Sequence, residues 1–317
     1  MSTALKDLPA LEERLLGRGI KFQTGPFLIH LHSDHTGIAE QLRELYPYAP
    51  VLDDGDKRPS DFTVNLHRPR GIRRWWRPQV QMRTDAQTPF LPFPLDHAFP
   101  LLEWSYNWCI ATQAHQFLML HSAVIEKDGV ALIMPAQPGS GKSTLCAALM
   151  LRGWRLLSDE FGLLRPTDPE LRLHSLPRPI PLKNESIEVI RNFSDEAVLG
   201  PTFKKTRKGD VAHVMASKES QLRGQESALP GWFLFPKYQA GQANSFEKLA
   251  RGWTFLKVSN NSFNYKLQGA RGFRAVADLV NRCPSYALQY SDLNSVIPDI
   301  EKLHQQICSK IKERAEP

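Results

Sequence analysis

The sequence predicts an α/β protein of two domains, a small leading α/β or mainly β domain over residues 1–94 and a larger one over 95–317. Three observations carry this. A short apolar run, Ala131 to Met134, passes through a turn-rich segment, Pro135 to Gly141, into Lys142, Ser143 and Thr144 at the head of a helix-like stretch. A second run, Trp154 to Leu157, ends in Ser158, Asp159 and Glu160. Ahead of both, segments with the periods of strands and of helices alternate, which is the order expected of mixed α/β layers.

The leading domain is expected to open with a short helix over Leu8 to Leu16 that stops at Gly17 to Gly19. Phe27 to Leu31 then reads as a strand, Ile38 to Tyr46 as a helix and Asp61 to Leu66 as a strand. Further on, Arg68, Arg70, Arg73, Arg74 and Arg77 surround Trp75 and Trp76. Such a segment either stacks on a nucleic acid, grips an acidic peptide, or folds as a hairpin whose tryptophans pack against the larger domain while the arginines cover them.

Pro100 to Leu120 reads as a long helix with Leu101, Trp104, Trp108 and Ala111 on one stripe, and His121 follows at the start of a strand over Ala123 to Glu126. Beyond the acid pair, Phe161 to Leu164 is a strand and Ser186 to Ile190 starts a helix. Arg207 and Lys208 fall in an expected loop. Gly231 to Phe235 is read as a buried strand, Phe246 to Leu256 and Arg271 to Val280 as helices, Tyr286 to Tyr290 as a strand, and Ile297 to Ile311 as a final amphipathic helix.

The chemistry sits on the turn-rich segment. Pro138, Gly139, Ser140, Gly141, Lys142, Ser143 and Thr144 fit the GxxxxGK[ST] pattern, with Ala136 in the place of its first glycine. Glycines let backbone N–H groups approach phosphate, a helix N-terminus favours negative charge, the lysine reaches the outer phosphates, and the first hydroxyl ligates magnesium. ATP and Mg2+ are the expected ligands. Acids at the end of a neighbouring strand could hold the metal and accept a proton from an attacking hydroxyl.

HSAVIEKDGVALIMPAQPGSGKSTL followed by LLSDE resembles the core of HPr kinase/phosphorylase, a carboxykinase-type phosphate-loop kinase of a protein serine. His121, Lys142 and the acid pair occur in the order and spacing of that family. Glu160 stands where the family usually has aspartate and Thr144 where it usually has glutamate, and its downstream RGxG-type signature is absent. Through EWSYNWCIA, RGWRLLSDE, LPRPIPLKNESI, TRKGDVAHV and YALQYSDL the chain is more similar to the branch called HprK-related kinase A.

The resemblance implies a carboxykinase-like kinase domain over 95–317, with Asp159 and His121 in catalysis and Ser143 and Glu160 at the metal. It also implies a serine of a small protein or peptide as acceptor, with a PqqD-type peptide-binding protein as possible companion. Arg178, Lys183, Asn184, Arg207 and Lys208 are candidates for contacts to phosphate or substrate, because cations there could neutralise the transferring group. Self-association is left open. Two rivals stand beside this reading: a kinase of a free small molecule, and a nucleotide-binding switch that transfers nothing.

Composition narrows the classes. An apolar content of 42% with 23% charged residues excludes a largely disordered chain. The net charge of +7 favours an acidic or polyanionic partner. No nucleic-acid module accompanies the charge, so nucleic acid is not the expected ligand. Cys109, Cys146, Cys283 and Cys308 are far apart and form no CxxC pair, which points away from a zinc or disulfide framework and fits a reducing cytoplasm. The first residues contain acids and lack an apolar core, and no 18 apolar residues run together, so neither export nor a membrane span is expected.

Overall fold

In the computed structural model, which describes residues 2–71, 76–84, 87–137 and 139–315, strands and helices are mixed throughout. The chain divides into two compact units, each assembled from two stretches. Met1–Ala114 joins Arg178–Gly224, and His115–Pro177 joins Gln225–Pro317. This division differs from a boundary at 94/95. The helix Ala98–Gln113 and the residues from 178 to 224 belong with the leading unit.

The first unit is built on a sheet whose seven described strands run in the order Ser2–Ala4, Pro50–Leu52, Ile20–Thr24, Phe27–Ser33, Phe62–His67, Gln79–Arg83 and Phe93–Pro94. Alternation decides its faces. Phe62, Val64 and Leu66 are buried while Thr63, Asn65 and His67 between them are partly exposed. The helix Ala98–Gln113 covers the sheet, with the Tyr106 ring 6.2 Å from that of Phe22. Its buried side is wider than the single expected stripe. Leu101, Leu102, Ser105, Tyr106, Cys109 and Ile110 are buried, whereas Trp104, Trp108 and Ala111 are only partly so. An element apolar on several faces has no one stripe to read.

A smaller antiparallel sheet in the same unit pairs Ile180–Lys183 with Gly209–Val214 and that strand with Phe203–Thr206. The expected loop at Arg207 and Lys208 is therefore the turn of a hairpin. Val211, Ala212, His213 and Val214 are all buried, which makes the second arm a core strand and not a mobile connection.

The second unit has an eight-stranded mixed sheet among the described residues. Its main path runs Leu173–His174, Phe161–Leu164, Leu118–Lys127, Val130–Pro135, Leu229–Tyr238, Ser285–Tyr290 and Ser245–Lys248, and Arg155–Ser158 pairs off Leu118–Lys127. Leu120, Val124, Ile133, Leu157, Phe233 and Leu279 share its core. Two expectations are corrected. The strand through His121 begins at Leu118, so the helix before it stops at Gln113 and His121 lies inside a strand. Phe246 lies in a short strand hydrogen-bonded to Ser285–Tyr290, and the helix starts only at Arg251.

Three neighbouring strands of this sheet, Val130–Pro135, Leu229–Tyr238 and Ser285–Tyr290, are parallel. Their carboxyl ends, at Pro135, Tyr238 and Tyr290, lie along one edge, with Tyr238 opposite Tyr290. Ligands of open α/β sheets bind at such edges, because loops leave there and helix N-termini point there.

Candidate functional site

The glycine-rich loop leaves the sheet at that edge. Gly139 has φ +84 and Gly141 φ +88, conformations that side-chain-bearing residues rarely adopt. A Cβ on Gly141 would lie 2.6 Å from the Tyr290 hydroxyl, whereas one on Gly139 would meet nothing within 4 Å. One glycine is demanded by packing beneath the loop, and the other keeps the backbone bare on an open side. Tyr238 N–H donates to the Ser140 carbonyl at 3.0 Å, and Tyr290 Oη donates to the Gly141 carbonyl at 3.3 Å. These two tyrosines fix the loop to the ends of the parallel strands. Neither was singled out by the sequence, since only the parallel pairing places them there. Pro138 lies outside the described residues.

Lys142 opens the helix Lys142–Leu151, followed by Ser143 and Thr144 in its first turn. Lys142 is 9% exposed, and its ammonium donates to the Asp159 carbonyl and lies 3.8 Å from Asp159 Oδ1. Ser143 Oγ donates to Asp159 Oδ2 at 2.7 Å. Asp159 is itself buried, at 6% exposure. Two motif members and the first acid thus form one charged, water-poor cluster, where Coulomb interactions are stronger than at the surface. Ser140 Oγ, also in the loop, is buried without a hydrogen-bond partner.

The second acid points to another partner. Ser158 Oγ accepts from the N–H groups of Glu160 and Phe161, at 3.3 and 3.0 Å, and so shapes the tight turn that carries both acids. Glu160 Oε1 lies 3.5 Å from His121 Nε2, and both side chains are partly exposed. His121 is registered opposite Phe161 across the two strands.

A pair of asparagines that the sequence reading passed over holds the His121 strand. Val130–Pro135 covers only its second half, from Ser122 on. Along the first half the turn from Asn261 to Asn264 takes over. Asn261 Nδ2 donates to the His121 carbonyl at 2.7 Å, and the His121 N–H donates to the Asn261 carbonyl at 2.8 Å. Asn264 accepts from Met119 N–H at 3.0 Å and donates to the Phe117 carbonyl at 2.8 Å.

The remaining candidates belong to the first unit. Arg178 is 7% exposed and donates to Asn107 Oδ1 and, at 3.4 Å, to Glu103 Oε2. Glu103 also accepts from Tyr46 Oη at 2.5 Å, and burial raises its carboxyl above the ordinary range despite the arginine. The neighbourhood of Arg178 is that of a buried structural ion pair. Asn184 has φ +50, and its Oδ1 accepts from Asp210 N–H at 3.1 Å, while the Lys183 N–H donates to Ser186 Oγ at 2.8 Å. Arg207 lies over the Phe93 ring at 5.0 Å and Lys208 over the Trp104 ring at 5.3 Å. In the arginine and tryptophan segment, Arg73, Arg74 and Trp75 lie outside the described residues, and Trp76 is exposed with Arg77 stacked 4.9 Å from its ring.

No family model matches the chain, and no curated protein is similar to it. The site's chemistry therefore rests on its own residues. All four cysteines are buried and reduced, and burial, with Asp159 second, pushes the Cys146 thiol well up, so it stays protonated. Among the described residues no group of three or more His, Cys, Asp and Glu could hold a metal, and no helix is long and apolar enough to cross a membrane.

Proposed function

We propose that the protein is an ATP-dependent phosphotransferase with a carboxykinase-like phosphate loop, which moves the γ-phosphoryl group of Mg-ATP to a serine hydroxyl on a small protein or peptide. The observation that carries this reading is the cluster of Lys142, Ser143 and Asp159 beside a loop whose glycines have positive φ, at the carboxyl ends of parallel strands. The resemblance to HprK-related kinase A adds the serine acceptor and the PqqD-type companion, and the dispersed cysteines favour a reducing, cytoplasmic setting.

The residues fit the ligands. The bare backbone at Gly139 and the orphaned Ser140 hydroxyl offer donors to phosphate oxygens. The Ser143 hydroxyl and an Asp159 carboxylate oxygen, 2.7 Å apart, are hard oxygen donors suited to magnesium, which typically takes one or two protein ligands and keeps phosphate oxygens and waters for the rest. Magnesium, when bound, supplies charge neutralisation at the phosphoryl oxygens. In the transfer, the serine oxygen bonds to the γ-phosphorus and the bond to the β-phosphate oxygen breaks, so ADP leaves. The hydroxyl proton passes to a carboxylate, and Lys142 offsets charge on the outer phosphates.

The first assignment gives that proton to Asp159, supported by His121, and the metal to Glu160. One contact favours a second. Asp159 already accepts from the Ser143 hydroxyl, which is the metal side of such a loop, while Glu160 and His121 form a separate, more exposed pair that could receive the acceptor's proton.

Three variants test the proposal, by calorimetric titration of Mg-ATP and by transfer from labelled ATP in lysate of the protein's own host. Lys142→Ala should abolish transfer and weaken ATP about tenfold or more; parental affinity would remove the nucleotide site altogether. If Asp159 is the base, Asp159→Asn keeps Mg-ATP binding and loses on the order of 10²–10⁴ in rate. If it serves the metal, Asp159→Asn loses Mg-ATP binding and Glu160→Gln shows the selective loss of rate.

A further inference from the structure

Beside the His121 strand, the second unit carries a pair of helices, Arg251–Asn260 and Tyr265–Arg282, with an uncommon surface. Trp253, Leu256, Phe263, Leu267 and Phe273 are each between 40% and 66% exposed. Single exposed apolar side chains are ordinary on a protein surface, but five within 21 residues of one helix pair form a concentration that commonly marks an interaction site. The rings are linked. Phe255, half-buried between the helices, lies 5.3 Å from Phe273 and 6.4 Å from Tyr265, and Trp253 packs 5.0 Å from Phe235.

The charge of this surface is mostly positive, with Asp278 near the end of the second helix as its exposed acid. Arg251, Lys257, Lys266, Arg271 and Arg274 are all exposed, and no acid occurs from Lys248 to Ala277. The Lys257 ammonium stands 5.2 Å over the Trp253 ring, so cation and apolar groups share one face. The surface also continues to the candidate site. The Phe263 ring lies 5.2 Å from that of His121 and 4.7 Å from that of Phe161, and His121 faces Glu160.

We infer that this helix pair is the docking surface for the phosphate acceptor, and that the acceptor presents an acidic segment bearing apolar side chains. The inference rests on the proposed phosphotransferase reading for what is docked, and on the helices' own composition for how. A second copy of the chain would bring the same cations into contact and be repelled. The two most exposed of the five, Leu267 and Leu256, suit apolar side chains and not base stacking, which favours a peptide over a nucleic acid. Continuity with His121 gives a reason for a peptide and none for a lipid surface.

The test uses the full chain and a labelled synthetic peptide in which Asp and Glu alternate with Leu and Phe around one serine, followed by fluorescence anisotropy. Controls are the same peptide with Leu and Phe changed to Gly, the same peptide with its acids changed to Gln, phosphatidylglycerol vesicles, and a single-stranded oligonucleotide. The first peptide should bind about tenfold or more tightly than either peptide control, and weaken as salt rises. Leu256→Asp, Leu267→Asp and Lys257→Glu should each weaken it about tenfold while leaving the melting temperature and Mg-ATP titration at parental values. Equal binding of the acid-only peptide, stronger binding to vesicles or oligonucleotide, or no effect of the three variants overturns the inference. Peptide binding without ATP binding would sink the kinase reading and keep the surface; ATP binding without peptide binding would do the reverse.

Discussion

A lysine in a motif is a point charge until its neighbours are known. Lys142 becomes informative because its ammonium lies 3.8 Å from Asp159 Oδ1 and donates to the Asp159 carbonyl in a water-poor place. His213 is the opposite case, a titratable group with no counter-charge. It is buried in the first unit with Nδ1 unpartnered, and burial, assisted by Arg178, lowers its pKa from 6.5 to about 3. Below pH 6.5 the unfolded chain takes up a proton there that the folded chain refuses. Stability from this group is therefore complete above pH 6.5 and is lost as pH falls towards 3. At ~1.4 kcal/mol per unit of pKa gap, the loss by pH 4 is on the order of 3 kcal/mol. Urea unfolding of the parent between pH 7 and pH 4 should show this slope, and His213→Leu should flatten it; equal slopes in both would place the acid sensitivity elsewhere.

At the scale of the element, the strand Leu118–Lys127 joins scaffold to chemistry, because it carries His121 at the point where one partner strand ends and an asparagine turn begins. Asn264, 5% exposed, holds the backbone on both sides of Leu118. Asn264→Ala would leave Met119 N–H without its partner in a buried place, whereas the Phe117 carbonyl keeps Gln268 Nε2 at 3.1 Å. A buried polar group left unsatisfied costs about 1–3 kcal/mol. The variant should therefore be destabilised by roughly that amount in denaturant titrations, with raised hydrogen exchange at Met119. Parental stability would mean that water or a shifted side chain replaces the asparagine. This turn was not legible beforehand, since asparagines in a polar connection read as solvated. Only the edge that the neighbouring strand leaves unfilled shows what they do.

At the scale of the molecule, the chain passes between its two units at 114/115, 177/178 and 224/225, so neither unit is one continuous stretch. A boundary at 94/95 would strip the first unit of the helix that lies against its sheet, where Leu101, Leu102 and Tyr106 are buried. It would also remove Phe203 and His213, whose rings pack 6.5 and 5.2 Å from Phe99 on that helix. A fragment of residues 1–94 is therefore expected to lack a cooperative urea transition and to bind hydrophobic dye, whereas residues 1–114 joined by a short linker to 178–224 should unfold cooperatively. A sharp transition for 1–94 alone would refute this division.

What the sequence determined by itself were the features encoded in neighbouring residues. Alternation at Phe62–His67, the apolar run at Phe161–Leu164, helical spacing at Gly37–Leu45, and the loop-to-helix junction at Lys142 are all local patterns of composition, period and turn former, and each appears within a residue or two of its expected place. Tertiary structure alone decided what depends on distant segments meeting. It set Tyr238 and Tyr290 under the glycine loop, Asn261 and Asn264 on the His121 strand, Arg178 against Glu103, and residues 178–224 in the leading unit. The physical reason is that a hydrogen bond or ion pair between residues 75 to 149 apart leaves no periodicity in either segment. Its partners are chosen only when the core brings donor and acceptor atoms within about 3 Å.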